Sequence, residues 1–481
     1  MTRIDLTIQP ERRKRAIQRA RERKIVIPTY AQMKDPSKIP ADIKEELAGV
    51  GLWDLHPRNL FRIHWHNDPK ASGGAFGGVN LLELPPARVV VILGKWFPTG
   101  AHKVGAAFSC LVPRLVTGQF DPTTQKAVWP STGNYCRGGA YDSALLGCES
   151  IAILPEGMSR ERFEWLAKVA GDTIKTPGSE SNVKEIFDKC KQLHQSGQDL
   201  MIFNQFEEFG NYLWHYEVTG RAIEEAFERI ARPGDEFRGV TSATGSAGTL
   251  ASGDYLKQVF PASKIAAVEA LQCPTLLENG FGSHRIEGIG DKHVPWIHNV
   301  KNTDLVIAID DNAVVSLARL FNEPAGKKYL ASKGVDLSLL STLDLLGFSG
   351  IANVLSAIKM AKYYEMGERD VIFTIATDSM ELYQSRLDEM RAHSGIYSET
   401  DAAADYARWL LGQDTAEMLE LRYPDRRRIH NLKYYTWVEQ QGKTYDEIQA
   451  LWQQPNTWTD VQRQADEIDE LIVDFNREVG L

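Results

Sequence analysis

The stretch Val89-Val90-Val91-Ile92-Leu93-Gly94-Lys95-Trp96-Phe97-Pro98-Thr99-Gly100-Ala101-His102-Lys103-Val104-Gly105 decides the fold class. Its first five residues are an aliphatic run without polar alternation, the pattern of a strand buried on both faces. Pro98 and Gly100 then make a turn, and the small, apolar run 106–116 leads on as a helix. A strand, a tight turn and a helix put Lys103 at or near a helix N-terminus, at the carboxyl end of a strand, where open α/β sheets bind ligands. A buried positive helix end disfavours an ammonium, and the deprotonated amine is the form that attacks a carbonyl. On this segment alone, a solvated loop lysine is the simpler reading.

Further short runs of the same kind lie at Ile151–Leu154, Leu200–Phe203, Ile265–Val268, Leu305–Ile309 and Val371–Ile375, each followed by helical spacing. That alternation predicts a parallel sheet covered by helices, so the fold class is α/β. The ends differ from this middle. Residues 1–61 read as an N-terminal extension, with a basic run at Arg12-Arg13-Lys14-Arg15 and then Pro28, Pro36, Pro40 and Pro57 in polar sequence. Residues 62–388 hold the core, and 389–481 form a helical C-terminal extension in which no strand is expected. Its last stretch sets Val461, Ala465, Ile468, Ile472, Phe475 and Val479 at helical spacing, an amphipathic helix expected to pack on its own domain.

Composition narrows the function classes. The 481 residues carry 55 Lys and Arg against 64 Asp and Glu, a net charge of −9, which excludes a general nucleic-acid binder. No apolar run approaches the roughly 20 residues of a membrane helix. The N-terminus has no apolar signal core, so the expected compartment is the cytoplasm. Cys110, Cys136, Cys148, Cys190 and Cys273 are scattered without C-x-x-C spacing, so buried thiols are expected and no metal site.

Two more segments open helices with polar, small residues. Ser131-Thr132-Gly133-Asn134 offers hydroxyls, an amide and backbone N–H groups able to hold a carboxylate. Gly245-Ser246-Ala247-Gly248-Thr249 is a small-residue turn before a helix, suited to a phosphate. By itself such a loop is only a tight turn or part of a dinucleotide site, and the full G-x-G-x-x-G fingerprint is absent.

Taken in order, the segments from about Val79 to Arg386 resemble the fold-type-II pyridoxal-phosphate family, the group of cysteine synthase, cystathionine β-synthase, the serine/threonine dehydratases and the tryptophan synthase β chain. Pro98–Lys103 resembles the family's P-T-G-S-x-K, and Ser131–Asn134 its S-S-G-N loop. Leu154–Gly157 with Thr176–Gly178 resembles M-P-E-G and T-P-G, while Asn204–Glu207 and His215–Gly220 resemble N-Q-F and H-Y-x-T-G. Gly245–Thr249 is similar to the phosphate loop G-T-G-G-T, Glu287–Gly290 to Q-G-I-G, and Thr377–Tyr383 to the late P-D-S segment.

The resemblance implies two open α/β subdomains with central sheets, the smaller and mobile one at about 128–205, and a homodimer. It implies pyridoxal 5′-phosphate carried by Lys103, with Asn134 on the cofactor's 3′-oxygen and Gly245, Ser246, Ala247, Gly248 and Thr249 on its phosphate. Ser379 would face the pyridine nitrogen, with Asp378 exposed beside it. The substrate carboxylate would lie on Ser131, Thr132, Gly133 and Asn134, with Gln205 and Gly288 nearby. A neutral partner such as Ser379 favours loss of a β-substituent over transamination.

The function implied is chemistry at the β-carbon of an amino acid through an aminoacrylate, a cysteine synthase-like β-replacement. A β-eliminating lyase is the alternative, and a catalytically silent interaction protein is the reading from another class. Ala247 stands where the family has glycine, which is tolerable at negative φ. Trp129-Pro130 stands where the tryptophan synthase β chain has a catalytic glutamate, which argues against indole chemistry. Arg137 and Arg285 are unusual for the family: one of them pairs a second negative charge on the substrate, or both serve structural ion pairs or face solvent.

Overall fold

The computed structural model describes residues 3–70, 76–84, 88–180, 182–290 and 292–481. Eleven strands lie among them: β1 Leu81–Leu84, β2 Arg88–Leu93, β3 Lys126–Pro130, β4 Glu149–Pro155, β5 Asp172–Thr176, β6 Leu200–Ile202, β7 Glu236–Ala243, β8 Lys264–Ala270, β9 Leu305–Ile309, β10 Asp370–Ala376 and β11 Met418–Glu420. They form a seven-stranded sheet in the order β1-β2-β10-β7-β8-β9-β11 and a four-stranded sheet in the order β5-β4-β3-β6. The smaller sheet is wholly parallel. The larger one is parallel from β2 to β9 and antiparallel at its two edges.

Five of the six aliphatic runs picked out from the sequence lie wholly in these strands and the sixth, Leu200–Phe203, but for its last residue; β2 is buried at every position. The expectation of no strand beyond residue 388 fails at β11, which pairs antiparallel with β9. Three half-exposed residues on a sheet edge carry no periodicity of their own; the partner strand creates the element.

The two chain ends fold onto each other. The helix Pro10–Glu22 packs on the final helix Gln464–Val479, whose apolar stripe Ala465, Ile468, Ile472, Phe475 and Val479 is buried. Arg13 donates to Asp474 (3.1 Å) and Glu478, so part of the basic run is spent on an internal acidic face. The Asp469 carboxylate accepts the N–H groups of Tyr30 (2.6 Å) and Ala31 (3.0 Å), holding the helix that opens there. All five cysteines are buried. Among the described residues no helix is long and apolar enough to cross a membrane.

Candidate active site

Lys103 is the first residue of the helix Lys103–Thr117, just beyond the end of β2. The turn before it is left-handed at two successive residues, Thr99 (φ 73°) and Gly100 (φ 70°). For a β-branched residue such as Thr99 this costs about 1–2 kcal/mol, sustained only where neighbours over-determine it. Here the Thr99 carbonyl accepts Nη2 of the buried Arg137 at 2.8 Å. On the other side, a Cβ at Gly94 would lie 2.4 Å from the Thr377 carbonyl, so β2 and the end of β10 approach as only glycine allows. The neighbouring His102 is buried, meets the Thr377 hydroxyl at 3.2 Å, and is pushed well below the usual histidine range, first by burial and then by the Lys103 charge.

The Lys103 amine donates to Ser246 Oγ at 3.1 Å. Ser246 lies in the loop after β7, and its hydroxyl also accepts Asn211 Nδ2 at 2.9 Å. A Cβ at Gly248 would meet Asn211 Oδ1 at 2.2 Å, which closes that position to any side chain. Thr249 pairs with Ser242, hydroxyl to hydroxyl, at 2.5 Å. Ala247 departs from expectation: its φ is +62°, not negative, so this chain holds an alanine in the left-handed region where the resembling loops have glycine. The loop runs into the turn Gly248–Leu250 and the helix Ala251–Val259; the Leu250 and Ala251 N–H groups are taken up by the Ala247 and Gly248 carbonyls, so it is the positive end of this continuous helical segment, at the loop itself, that favours an anion. Lys103, Ser246, Thr249, Gly288, Ser349 and Thr377 border one small space of about 10 Å³, roughly a water's worth.

Asn134 begins the helix Asn134–Leu145 after β3. Its Nδ2 donates to Asp378 Oδ2 at 2.6 Å and its Oδ1 accepts Arg137 Nη1 at 3.3 Å. The carboxylate-binding reading of Ser131–Asn134 is narrowed, because the Ser131 N–H is spent on the Ile153 carbonyl (2.9 Å) and the Gly133 N–H on Ser131 Oγ (3.0 Å). Gln205 is buried, with its carbonyl accepting Asn211 Nδ2 at 2.9 Å.

Several sequence expectations are corrected here. Asp378 is not exposed: at 1% accessibility it bonds Asn134 and Tyr383, and burial raises its pKa against the opposing pull of Arg162. Thr377 is among the residues bordering the space beside Lys103, and Ser379, also buried, precedes the turn Met380–Tyr383. Arg137 has no exposed surface and no free fork for a substrate charge. Arg285 is half exposed but engaged bidentately with Asp311.

A set of residues that motif reading passed over joins the two sheets. Arg162, fully buried on the helix Arg160–Val169, donates to the Thr132 carbonyl (3.0 Å) and to the Tyr383 hydroxyl (2.8 Å), and pairs with Glu287 (2.8 Å). Arg386 holds the other oxygen of Glu287. Ser385 gives both its N–H and its hydroxyl to Glu161, at 2.7 and 2.6 Å. Glu180 lies 3.9 Å from Arg162 Nη1, and burial, reinforced by the Glu287 charge, pushes it up to about 8. These contacts tie the four-stranded unit to the 284–290 and 378–386 segments. Beside them lies a cavity of about 350 Å³ bordered by Met158, Glu180, His284, Glu287, Phe348 and Arg386.

Comparison with known proteins agrees with this geometry. Residues 95–328 match the family model described as "Pyridoxal-phosphate dependent enzyme". The chain is 27% identical over 311 residues to a probable cysteine synthase of Bacillus subtilis, covering 64% of this chain and 92% of that one. It is 25% identical over 390 residues to cystathionine beta-synthase of Saccharomyces cerevisiae, covering 78% of this chain and 73% of that one. In structure it is similar to O-acetyl serine sulfhydrylase isoform 3 of Entamoeba histolytica, with a TM-score of 0.56 and 22% identity over 69% of this chain and 94% of the other, a likeness of fold.

The donors present suit the group that the family model names. An amine for its aldehyde and a hydroxyl-lined, side-chain-free loop at a helix N-terminus for its phosphate meet at 3.1 Å. Ser349 Oγ, at the edge of the same space, and Asp378 Oδ1 are buried with no hydrogen-bond partner. On the matched residues, just under half of the chain, and the fold together, this chain is similar to the fold-type-II pyridoxal-phosphate-dependent enzymes, with cysteine synthase and cystathionine beta-synthase among the proteins it resembles.

Proposed function

We propose that this chain replaces a substituent on the β-carbon of an amino acid, as its cysteine synthase relatives' name implies for them. The observation that carries the reading is the meeting of Lys103 Nζ with the Ser246 loop at 3.1 Å, at the mouth of two helix N-termini. Lys103, the Gly245–Thr249 loop and Asn134 would hold pyridoxal phosphate. When bound, the cofactor supplies an electron sink for charge developing at the substrate's α-carbon.

The chain's own residues do the rest. The Lys103 amine would hold the cofactor's aldehyde and, once released from it, is the base positioned to move the α-proton. His102, neutral at working pH, fixes the strand end through Thr377 without competing for that proton. Ser246 and Thr249 hydroxyls, with the helix N-terminus, orient the anionic end. Asp378 gives only Oδ2 to Asn134 and Tyr383, but it does not border the space beside Lys103, as Ser349 and Thr377 do; this supports a hydroxyl rather than a carboxylate as the pyridine partner and so a reaction in which the β-substituent leaves promptly. The Arg162–Glu287–Arg386 ties exclude water by closing the two sheets on the site.

The test is the visible spectrum of the purified protein, alone and with serine, O-acetylserine or cysteine, beside Lys103→Ala, followed by product analysis with sulfide present. The expected result is a violet-region band, shifted by one of the amino acids, absent as a cycling species in the variant, and a new C–S product. Keto acid and ammonia without a replacement product would convert the reading to β-elimination. No band after added pyridoxal phosphate would leave the interaction-protein reading.

A further inference from the structure

Arg137 is a costly residue to have where it stands. Its guanidinium is wholly buried on the helix Asn134–Leu145, one turn after Asn134, and its Nε has no hydrogen-bond partner. Burial lowers its pKa to about 10, still cationic at neutral pH, and the neighbouring Arg162 charge adds to the strain while Asp378 opposes it. A buried cation with an unfilled donor persists where its remaining contacts are needed.

Those contacts are two hydrogen bonds and a stack. Nη2 reaches the Thr99 carbonyl at 2.8 Å, Nη1 reaches Asn134 Oδ1 at 3.3 Å, and the guanidinium sits 4.8 Å from the centroid of the Trp165 ring. Thr99 is the strained, left-handed residue of the turn that aims Lys103. Asn134 is the amide facing the site, and the bond to its oxygen settles which way the amide points: Oδ1 toward Arg137, Nδ2 toward Asp378. One planar fork thus joins the lysine turn, on the larger unit, to the Asn134 amide, on the smaller. Lysine, a single point charge on a flexible stem, lacks the rigid, divergent N–H groups with which the fork reaches acceptors on two separate elements.

We propose that Arg137 is a positioning residue that sets the Lys103 turn and the Asn134 amide together, and through them the tightness and electronic state of the bound cofactor. The proposal rests on the cofactor reading above and replaces the expectation that Arg137 meets an acidic substrate.

The experiment is a double-mutant cycle on pyridoxal-phosphate affinity, read by tryptophan quenching of the full-length protein stripped of cofactor and titrated with pyridoxal phosphate. The proteins are wild type, Arg137→Lys, Asn134→Ala and the double variant. Each single change is expected to weaken binding at least about tenfold, the scale of one lost hydrogen bond to a charged group. The double variant should bind at least about fivefold tighter than the product of the single losses, because the two residues act through one contact.

Arg137→Lys should also shift the visible band of the bound cofactor while the thermal midpoint of the stripped protein stays within about 2 °C of wild type, roughly what a small change in packing produces. A merely structural arginine would lower that midpoint and leave the band in place. Unchanged affinity and band in Arg137→Lys, or losses that simply multiply, would overturn the proposal. If Arg137→Lys does not fold, Arg137→Gln, neutral but keeping one N–H donor, carries the same cycle: coupled losses support the proposal and multiplying losses overturn it. Wild type that takes up no pyridoxal phosphate overturns the cofactor reading itself, an outcome distinct from additive losses in a protein that binds it.

Discussion

Glu180 offers a measurable consequence of how the two sheet units meet. Its carboxyl is buried, Oε2 has no hydrogen-bond partner, and Arg162 is 3.9 Å away but already paired with Glu287 at 2.8 Å. Burial raises its pKa from an ordinary 4.5 to about 8; the Arg162 charge pulls it back, and the Glu287 charge adds to the rise. A folded-state pKa raised above the unfolded value contributes stability that is fully present below pH 4.5 and is lost as pH rises to 8.

Glu180→Gln removes that dependence while keeping the shape of the side chain. One proton is worth about 1.4 kcal/mol per pH unit, so between pH 5 and 8 the variant should gain roughly 4 kcal/mol on wild type. With an unfolding entropy of about 1 kcal/mol per degree for a chain of this length, the gain is about 4 °C in relative thermal midpoint. Scanning both proteins by calorimetry at pH 5, 6, 7, 8 and 9 should show the variant-minus-wild-type difference rise to pH 8 and then level off. A difference that stays flat from pH 5 to 8 would mean that Glu180 is ionised in the fold and shares Arg162 with Glu287, and the reasoning would be refuted.

Lys433 runs the same logic with the opposite sign. It donates to the Trp296 and His298 carbonyls at 2.8 Å each, and burial lowers it to about 7, so wild type should gain about 1.4 kcal/mol per pH unit relative to Lys433→Met as pH rises from 7 toward 10.5. Denaturant midpoints of the two proteins across that range check it. Gly105→Ala, two residues after Lys103, would place its Cβ 2.0 Å from Trp214 Cε2; a loss of about 3 kcal/mol by urea unfolding and weaker cofactor retention are expected. All five cysteines are buried, and burial raises the thiols of Cys110, Cys136, Cys148 and Cys190, the last three to about 12, so a thiol reagent at pH 8 should leave the native protein unlabelled and modify the five only after unfolding.

What was legible in the sequence is what short-range chemistry encodes. Val89–Leu93 and the five similar runs are strands because unbroken aliphatic, largely β-branched stretches of that length have no other low-energy use in a globular chain. The lysine turn, the Ser131–Asn134 loop and the Gly245–Thr249 loop each carry their meaning within five or six residues, since a turn followed by a helix N-terminus is a local structure. Even there the backbone had the last word at Ala247, whose positive φ is set by packing between Gly248, Asn211 and the 288 segment rather than by its own side chain.

Partnership across the chain was decided only in three dimensions. Edge strands such as β5 and β11 hold polar, half-exposed residues and become strands through their neighbours. Arg162 reads in sequence as one of several charges on a surface helix, yet it is the fully buried centre of bonds to Thr132, Glu287 and Tyr383. Arg137 reads as a candidate for the substrate's charge and is instead consumed by Thr99 and Asn134. Residues of like charge are interchangeable in a linear pattern, because Coulomb and hydrogen-bond energies depend on distance and burial; the fold alone assigns which cation meets which carbonyl or carboxylate, and therefore which polar groups are left to face a ligand.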